Sequence, residues 1–516
     1  MVLDNADDLD TFFARPISTV AEGKPTLPLK DYLPQSSTGL LLITTRDKRM
    51  SARLAGTQAS VVVHPMSYPE AQELLESQMG HPDSLNTNDS KTLIDALEYI
   101  PLAITQAAAF INENSISLTE YLDMFFTNDS DAQDLLDEDL GDRRRDFESQ
   151  NSVARTWKLS FDLIRKQKPR AAEMLSLMAV LDRQGIPKSL LQKDTDRQID
   201  ITTALGTLQA FSLINTGSDG QGYGLHRLVQ LATRRWLELQ GTTKLWEEKA
   251  LLVVANHFPT GNFETWTTCE RLLPHAQAVI QCKDISETYP VEYSTLLHNV
   301  AYLDLSQGRF EIACTRLLAA TELHKKIFGL VHPNTLSSMT HLANAHMCQS
   351  RWDEAEKLLV QVIEAKSRLC IPEDPGMLQL INNLVHSYVG QNQLDKAEEL
   401  GVKTMETSLR VLKAEHPVTQ GSMATLSIVY CYQGRWDEAE KLGEKVLETR
   451  LGVHGSEHPG TLASMHHLAF TYFSQGRHGE AIALMKDVVD KKTKYLGANH
   501  PHTKLSVEAL TEWSDT

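Results

Sequence analysis

Two residues near the start of the chain stand where chemistry is possible. Asp4 ends the short apolar run Met1-Val2-Leu3. Read as a buried parallel strand, that run puts a carboxylate at its C-terminal edge, where open α/β sheets bind ligands and where an aspartate can hold Mg²⁺. Arg46 follows a second β-rich run, Gly39-Leu40-Leu41-Leu42-Ile43-Thr44-Thr45. At the same sheet edge its planar fork of donors suits a terminal phosphate. These side chains need a sheet and covering helices to position them. Val61-Val62-Val63 offers a third short strand. Met66 to Gly80 reads as a helix with Ser67 as N-cap and Pro69-Glu70 in its first turn. Leu93 to Ile111 carries helical spacing broken by Pro101, so it reads as helix, proline joint, helix.

The rest of the composition limits the function classes. The chain has 516 residues, which suggests about three domains. Fifty Lys and Arg against 67 Asp and Glu give a net charge of −17. That acidity argues against nonspecific binding to nucleic acid or an anionic membrane. No apolar run reaches the ~18–20 residues of a membrane span, and the acidic opening lacks the basic region of an export signal. The six cysteines, at 269, 282, 314, 348, 370 and 431, form no Cys-x-x-Cys pair. Neither a disulfide framework nor a zinc module is expected, and a cytoplasmic, reducing setting fits.

The middle of the chain changes texture. Residues 112–150 are acidic and then arginine-rich, as a linker or helical segment would be. Helical spacing resumes at Ser152, and a second helix is expected over Arg170 to Leu181. Phe211 to Ile214 and Gly222 to Leu225 flank a Gly/Ser/Asp-rich turn and read as a hairpin. His226 to Leu239 then reads as an amphipathic helix. Helices followed by a hairpin wing suggest a winged helix. Arg227, Arg234 and Arg235 are too few, on so acidic a chain, to favour DNA. Gly220-x-Gly222-x-Gly224 is better explained as turn and strand than as a dinucleotide loop, because the final glycine is missing.

The second half repeats itself. Pro333, Pro375, Pro417, Pro459 and Pro501 stand 42 residues apart, as do Ala313, Ala355, Ala397, Ala439 and Ala481. Histidine precedes four of those prolines and Asp374 the fifth. Each unit predicts two helices. Helix A starts at the proline and ends at a Gln-Gly-Arg or its variant, with Gly308, Gly434 and Gly476 suited to left-handed caps. Helix B follows, with alanine at its close approach. The histidines are spread along the array, and no His-Glu-x-x-His occurs, so no metal site is expected. Trp352 and Trp436 are expected to pack at the joint between the helices.

Taken in order, the N-terminal pieces resemble the C-terminal part of an NB-ARC-type nucleotide-binding module of the STAND class, in versions common in filamentous fungi. Met1 to Asp8 looks like its Walker B strand, Leu40 to Arg46 like its sensor strand, and Tyr99 to Ala103 like its Gly-Leu-Pro-Leu-Ala motif. Leu225-His226-Arg227-Leu228 is similar to the family's Met-His-Asp motif at the histidine and final leucine. The resemblance implies Asp4 for water-mediated Mg²⁺, Arg46 for the γ-phosphate, Pro101 for adenine and His226 for the β-phosphate of ADP. Asn5 departs from the second acidic position and Arg227 from the aspartate. The family's phosphate loop lies upstream of Walker B. Gly23-Lys24 does not supply it, because Ser18 and Pro25 break the pattern. A chain cut before or at Walker B is therefore expected, with weak or absent binding of ADP or ATP with Mg²⁺.

The repeats resemble tetratricopeptide repeats (TPRs), specifically the 42-residue form of kinesin light chains. Such units stack into a superhelix whose inner groove is lined by helix A. Stepping by 42 picks out Asn299, His341, Asn383, Thr425 and His467, each just before an expected buried residue (Val300, Leu342, Leu384, Leu426, Leu468). In related arrays such positions hold a peptide backbone.

The expected fold is thus mostly α: a partial α/β P-loop NTPase module (1–111), a linker (112–150), a winged helix (151–245), a degenerate first repeat (250–290), the α-solenoid array (291–501) and a C-terminal cap (502–516). The expected function is an ADP/ATP-switched signalling protein whose array binds a protein or peptide ligand, with self-assembly, as in fungal non-self recognition. No catalytic residue is assigned, and turnover is at most a slow switch ATPase. The alternative is a nucleotide-independent TPR adaptor. No nucleic-acid or membrane partner is expected.

Overall fold

The computed structural model describes residues 2–3, 6, 12–13, 33, 42–45, 47–55, 61–64, 66–79, 86–114, 116–127, 161–217, 220, 222–282, 285–368 and 373–514. They divide into two compact units, 1–254 with 277–282, and 255–276 with 283–516.

In the N-terminal unit, Val2–Leu3 pairs in parallel with Leu42–Ile43, as the two apolar runs predict. Val61–Val63 corrects the expectation of a third strand: it forms no strand, and Val61 and Val63 are about nine-tenths exposed. A valine run becomes a strand only where a neighbour completes its backbone hydrogen bonds and covers its side chains. The helix Tyr68–Gln78 starts at Ser67 with a capping box, in which Glu70 accepts from the Ser67 backbone N–H at 2.7 Å. Thr87–Ala96 ends where Glu98 and Tyr99 turn left-handed, at φ 55° and 59°. Pro101, whose missing N–H costs nothing in a first turn, then opens the helix Pro101–Asn114. Leu75, Leu93, Ile104, Tyr121 and Phe125 form the core of this region, joined by Leu228 and Leu231 of the helix Arg227–Leu239.

Farther along this unit, Pro169–Val180 and Gln198–Ala210 pack with Arg227–Leu239 beside a three-stranded antiparallel sheet. Gly222–Leu225 is its central strand, between Ile186–Pro187 and Ile214–Thr216. The expected hairpin is present, but its first strand is Ile214–Thr216 and not Phe211–Ile214, because Phe211 caps the preceding helix and Ser212 turns left-handed at φ 56°. Its glycines serve packing: a Cβ at Gly224 would lie 2.7 Å from Asn215 Oδ1, and one at Gly222 3.0 Å from the Gly185 backbone.

The C-terminal unit carries five helix pairs. The A helices are Pro290–Ser306, Pro333–Cys348, Pro375–Gly390, Pro417–Tyr432 and Pro459–Ser474. The B helices are Phe310–Phe328, Trp352–Ser367, Leu394–Leu412, Trp436–His454 and His478–Tyr495, and Pro501–Ser514 follows as a last A helix. The 42-residue period has physical causes at three places. The His-Pro histidine caps its helix: Nδ1 of His332, His416, His458 and His500 accepts the N–H two residues on, at 3.1–3.2 Å. Asp374 does the same work through Oδ2, bonded to the Met377 N–H at 3.0 Å. The position after helix A is left-handed in every pair, at Gly308, Ser350, Asn392, Gly434 and Gly476. All five periodic alanines are fully buried, so the helices meet there without room for a larger side chain.

Polar pairs link each helix B to the next helix A, and they are not alike. His324 bonds Ser338 at 2.7 Å, Ser408 meets Ser422 at 3.2 Å, Arg450 donates to Ser464 at 2.7 Å, and Lys492 donates to Ser506 at 2.9 Å. At the remaining junction Leu380 replaces the serine, and Lys366 turns to Asp374 at 2.7 Å. Trp352 packs at its joint, where a Cβ on Gly390 would strike its ring at 2.3 Å. Trp352 is half-buried and Trp436 is 40% exposed, so neither expected tryptophan is fully covered.

Candidate functional site

The nucleotide-facing candidates fall on both sides of the described boundary. Asp4 and Arg46 lie outside the described residues, as does the acidic and arginine-rich stretch around 131–145. Just beyond Arg46, Asp47 is buried and caps the helix Lys48–Ala55 through Oδ1, 2.9 Å from the Arg49 N–H. The Arg49 guanidinium forks onto the same carboxylate at 2.7–3.2 Å and donates to Thr207 Oγ1 at 3.1 Å. This arginine is spent on structure.

Pro101 is exposed at the start of its helix. His226 is the N-cap of Arg227–Leu239, with half its side chain accessible. The two motifs, more than a hundred residues apart in sequence, meet through Glu98. Glu98 Oε2 lies 2.7 Å from His226 Nδ1, and Oε1 accepts from the Arg227 N–H at 2.8 Å. The hydrogen bond to Glu98 raises the His226 pKa above the ordinary imidazole value, against desolvation and the charge of Arg183. The Arg227 side chain, where the family motif has aspartate, reaches the Phe125 carbonyl at 3.1 Å and lies over the Phe125 and Phe126 rings. Nothing in the sequence pointed to Glu98. In a helical stretch it reads as a surface carboxylate, and its left-handed backbone is what aims it at His226.

As these residues stand, His226 does not fit a phosphate: an internal anion already occupies its Nδ1 and the helix N-terminus beside it. Glu98 would have to leave first. No group of three or more His, Cys, Asp or Glu side chains is gathered as metal ligands among the described residues.

The groove ladder lies on the A helices, one residue before buried positions in every pair. Its side chains have internal partners. Asn299 donates to the Phe258 carbonyl at 3.3 Å. His341 stacks on Tyr302 with ring centroids 4.3 Å apart, and its Nδ1 lies 3.3 Å from His298 Nε2. Asn383 donates to Asn344 at 3.0 Å and accepts from Gln379 at 3.2 Å. Thr425 is buried, and His467 is exposed. Desolvation pulls the pKa of His341 down to about 4 and that of His298 to about 3, so both are neutral at pH 7, and the exposed His467 is shifted in the same direction. His386, Lys492, Arg450 and His502 add to the lowering at His467. The ladder is thus an uncharged row of imidazole, amide and hydroxyl groups.

Tetratricopeptide-repeat families match residues 292–368, 377–418 and 419–494. The repeats are tetratricopeptide repeats. Residues 163–241, which hold the three-stranded sheet and its helices, match a domain of unknown function, DUF7779. A nucleotide-binding leucine-rich repeat (NLR)-like protein of Hyaloscypha variabilis is 34% identical over 343 residues, which are 66% of this chain and 34% of that protein. The chain therefore spans about a third of the length of that relative. Among solved structures, a kinesin light chain with nearly identical TPR-like repeats from Podospora anserina is 30% identical over 38% of this chain and 93% of its own (TM-score 0.31). A STAND protein with a TPR sensor from Pyrococcus horikoshii is 12% identical, covering 90% of this chain and 84% of its own (TM-score 0.38). No described helix is long and apolar enough to cross a membrane.

Proposed function

We propose that this chain acts in an NLR-like signalling protein, with the TPR array as its ligand-binding part and the N-terminal unit as a module regulated by ADP and ATP with Mg²⁺. The observation that carries the reading is the meeting of the Tyr99–Ala103 motif with His226 through Glu98. Two segments that the NB-ARC resemblance assigns to one nucleotide are neighbours here, and the kinship with an NLR-like protein supports the same reading. The winged-helix assignment of the sheet and helices over 161–241 belongs to this proposal, as do a cytoplasmic setting and a part in fungal non-self recognition. The array, by its inner row of uncharged hydrogen-bonding groups, would take a protein or peptide ligand.

One observation favours a second reading, a nucleotide-independent adaptor: the His226 imidazole is already engaged by Glu98. Isothermal titration with ADP and ATP, on this chain and on one extended upstream to include a phosphate loop, separates the two. Heat of binding in the extended chain, reduced by His226→Gln, supports the switch. Absence of binding in both chains leaves the adaptor.

A further inference from the structure

Two contacts within the C-terminal unit join residues at one and the same sequence separation. His500 Nε2 lies 3.3 Å from the Ser306 carbonyl, and 500 − 306 = 194. His458 Nε2 lies 3.7 Å from Glu264 Oε1, and 458 − 264 = 194. Around the first, a Cβ on Gly308 would fall 2.3 Å from Pro501 Cδ, and the rings of Phe310 and His502 are 6.2 Å apart. Around the second, Phe263 stands edge-on to His458 at 5.8 Å. A shared separation of 194 residues is 194/42, or about 4.6 repeats. Such a coincidence is the signature of a regular superhelix whose successive turns touch.

We propose that the array closes on itself after one turn, and that this seam gates its inner face. While the seam holds, the groove is a channel walled on every side. An extended chain can enter from an end, but a folded partner cannot enter from the side until the turns part. This rests on the array being the ligand-binding part only for its consequence; the closure stands on the contacts alone.

The His-Pro histidines give the seam its chemistry. In His458 and His500 the cap fixes Nδ1 as an acceptor, which leaves the proton on Nε2. That N–H is the group turned toward the preceding turn. The His500 imidazole thus caps its own helix and bonds across the seam, while His458 caps its helix and faces Glu264 at 3.7 Å, an electrostatic contact longer than a hydrogen bond. His332 and His416 make the same cap, and His332 also stacks on Phe328 of the preceding helix at 4.2 Å, but neither has a contact at a separation of 194 among the described residues, so they are natural controls.

Hydrogen exchange on the full chain tests the seam. Asparagine preserves an N-cap but is too short to reach across. His500→Asn should speed exchange several-fold in the peptide 306–312, about 190 residues away in sequence, and His458→Asn should do so at 262–266. His332→Asn and His416→Asn should alter neither peptide. Gly308→Ala gives an independent reading. Gly308, Gly434 and Gly476 share φ of 75–79°, so their backbone cost on substitution is common, but only Gly308 has atoms in the way. Exchange at 500–506 should rise in Gly308→Ala and stay unchanged in Gly434→Ala and Gly476→Ala. Unchanged exchange across the seam in both histidine variants, or equal effects in the controls, overturns the proposal. If Gly308→Ala does not fold, the histidine variants decide alone. Failure of the array to bind any ligand leaves the closure untouched and refutes only the reading of the array as the ligand-binding part.

Discussion

Replacing Glu98 probes the contact on which the nucleotide reading turns. Glu98→Gln keeps an oxygen for the Arg227 N–H and removes the charge that faces His226. The Glu98 side chain is 17% exposed and that of His226 51%, so the ion pair is worth about 1 kcal/mol, near the upper end for accessible pairs. In a unit of this size 1 kcal/mol is about 2–4 °C in Tm. The pH dependence follows from the raised pKa of His226. The pair's contribution is complete below the unfolded value of about 6.5 and fades as pH rises through the folded value. Thermal unfolding should therefore separate Glu98→Gln from the parent by about 2–4 °C near pH 6 and by less near pH 8.5. Backbone strain adds a second arm. Glu98→Ala loses both bonds and keeps the left-handed turn, whereas Glu98→Gly loses both and relieves about 1 kcal/mol of strain. The glycine variant should be the more stable of the two by about that amount. A deficit for Glu98→Gln that is the same at both pH values, or additivity with His226→Gln in a double-mutant cycle, would refute the reasoning.

Other outcomes follow from the array and the strand edge. Lys492 is 5% exposed and burial lowers its pKa to about 8, from 10.5, a penalty of about 3 kcal/mol at neutral pH. Lys492→Met should raise array stability by about 1–2 kcal/mol at pH 7 after the loss of two hydrogen bonds. That gain should shrink between pH 8 and 10.5, which denaturant melts at several pH values will read. His298 and His341 are held neutral by burial. The stability this confers is present above pH 6.5 and lost as pH falls toward 4 and then 3. His341→Phe, which keeps the stack on Tyr302, should flatten the acid limb of the Tm–pH curve. Asp47→Ala leaves the Arg49 fork unpaired and the helix Lys48–Ala55 uncapped. A loss of about 2–3 kcal/mol in chemical denaturation of the N-terminal unit is expected. Ala397→Leu overfills a fully buried approach and should cost the array about 1–3 kcal/mol, read from its melting midpoint.

The array was legible because its signals are local and recur. Proline at the first helical turn, histidine before it, glycine after helix A and alanine at the crossing each follow from one residue's own chemistry. Repetition at 42 residues turned weak hints into a register. Ser350 and Asn392 take the left-handed position without glycine, so the period, not the residue, predicts the turn there. The N-terminal unit is different. Val61–Val63 has strand composition, but a strand is made by its neighbours, and no single segment carries that information. Glu98 was invisible for a related reason. Its role depends on two left-handed residues and on a helix start more than a hundred residues later. Of the four nucleotide candidates, Pro101 and His226 lie in segments that the structure brings together, and the carboxylate between them had no signal in the sequence. In the array, the period placed the ladder positions on the A helices, but it did not show that Asn299, His341 and Asn383 bond to neighbours inside the unit.

The unlike polar pairs between repeats have a consequence for how such an array can change. Identical modules can be copied or deleted freely, because any module matches any other. Here His324, Ser408, Arg450 and Lys492 each meet a serine in its own way, and Lys366 meets none. Removing the repeat 417–454 would bring Ser408 against Ser464 in a space shaped for arginine. Duplicating the repeat 375–412 would set Ser408 against Leu380, with no hydroxyl opposite. Each junction works as a key cut for one lock, so the order of the repeats is fixed by their interfaces as firmly as by the chain.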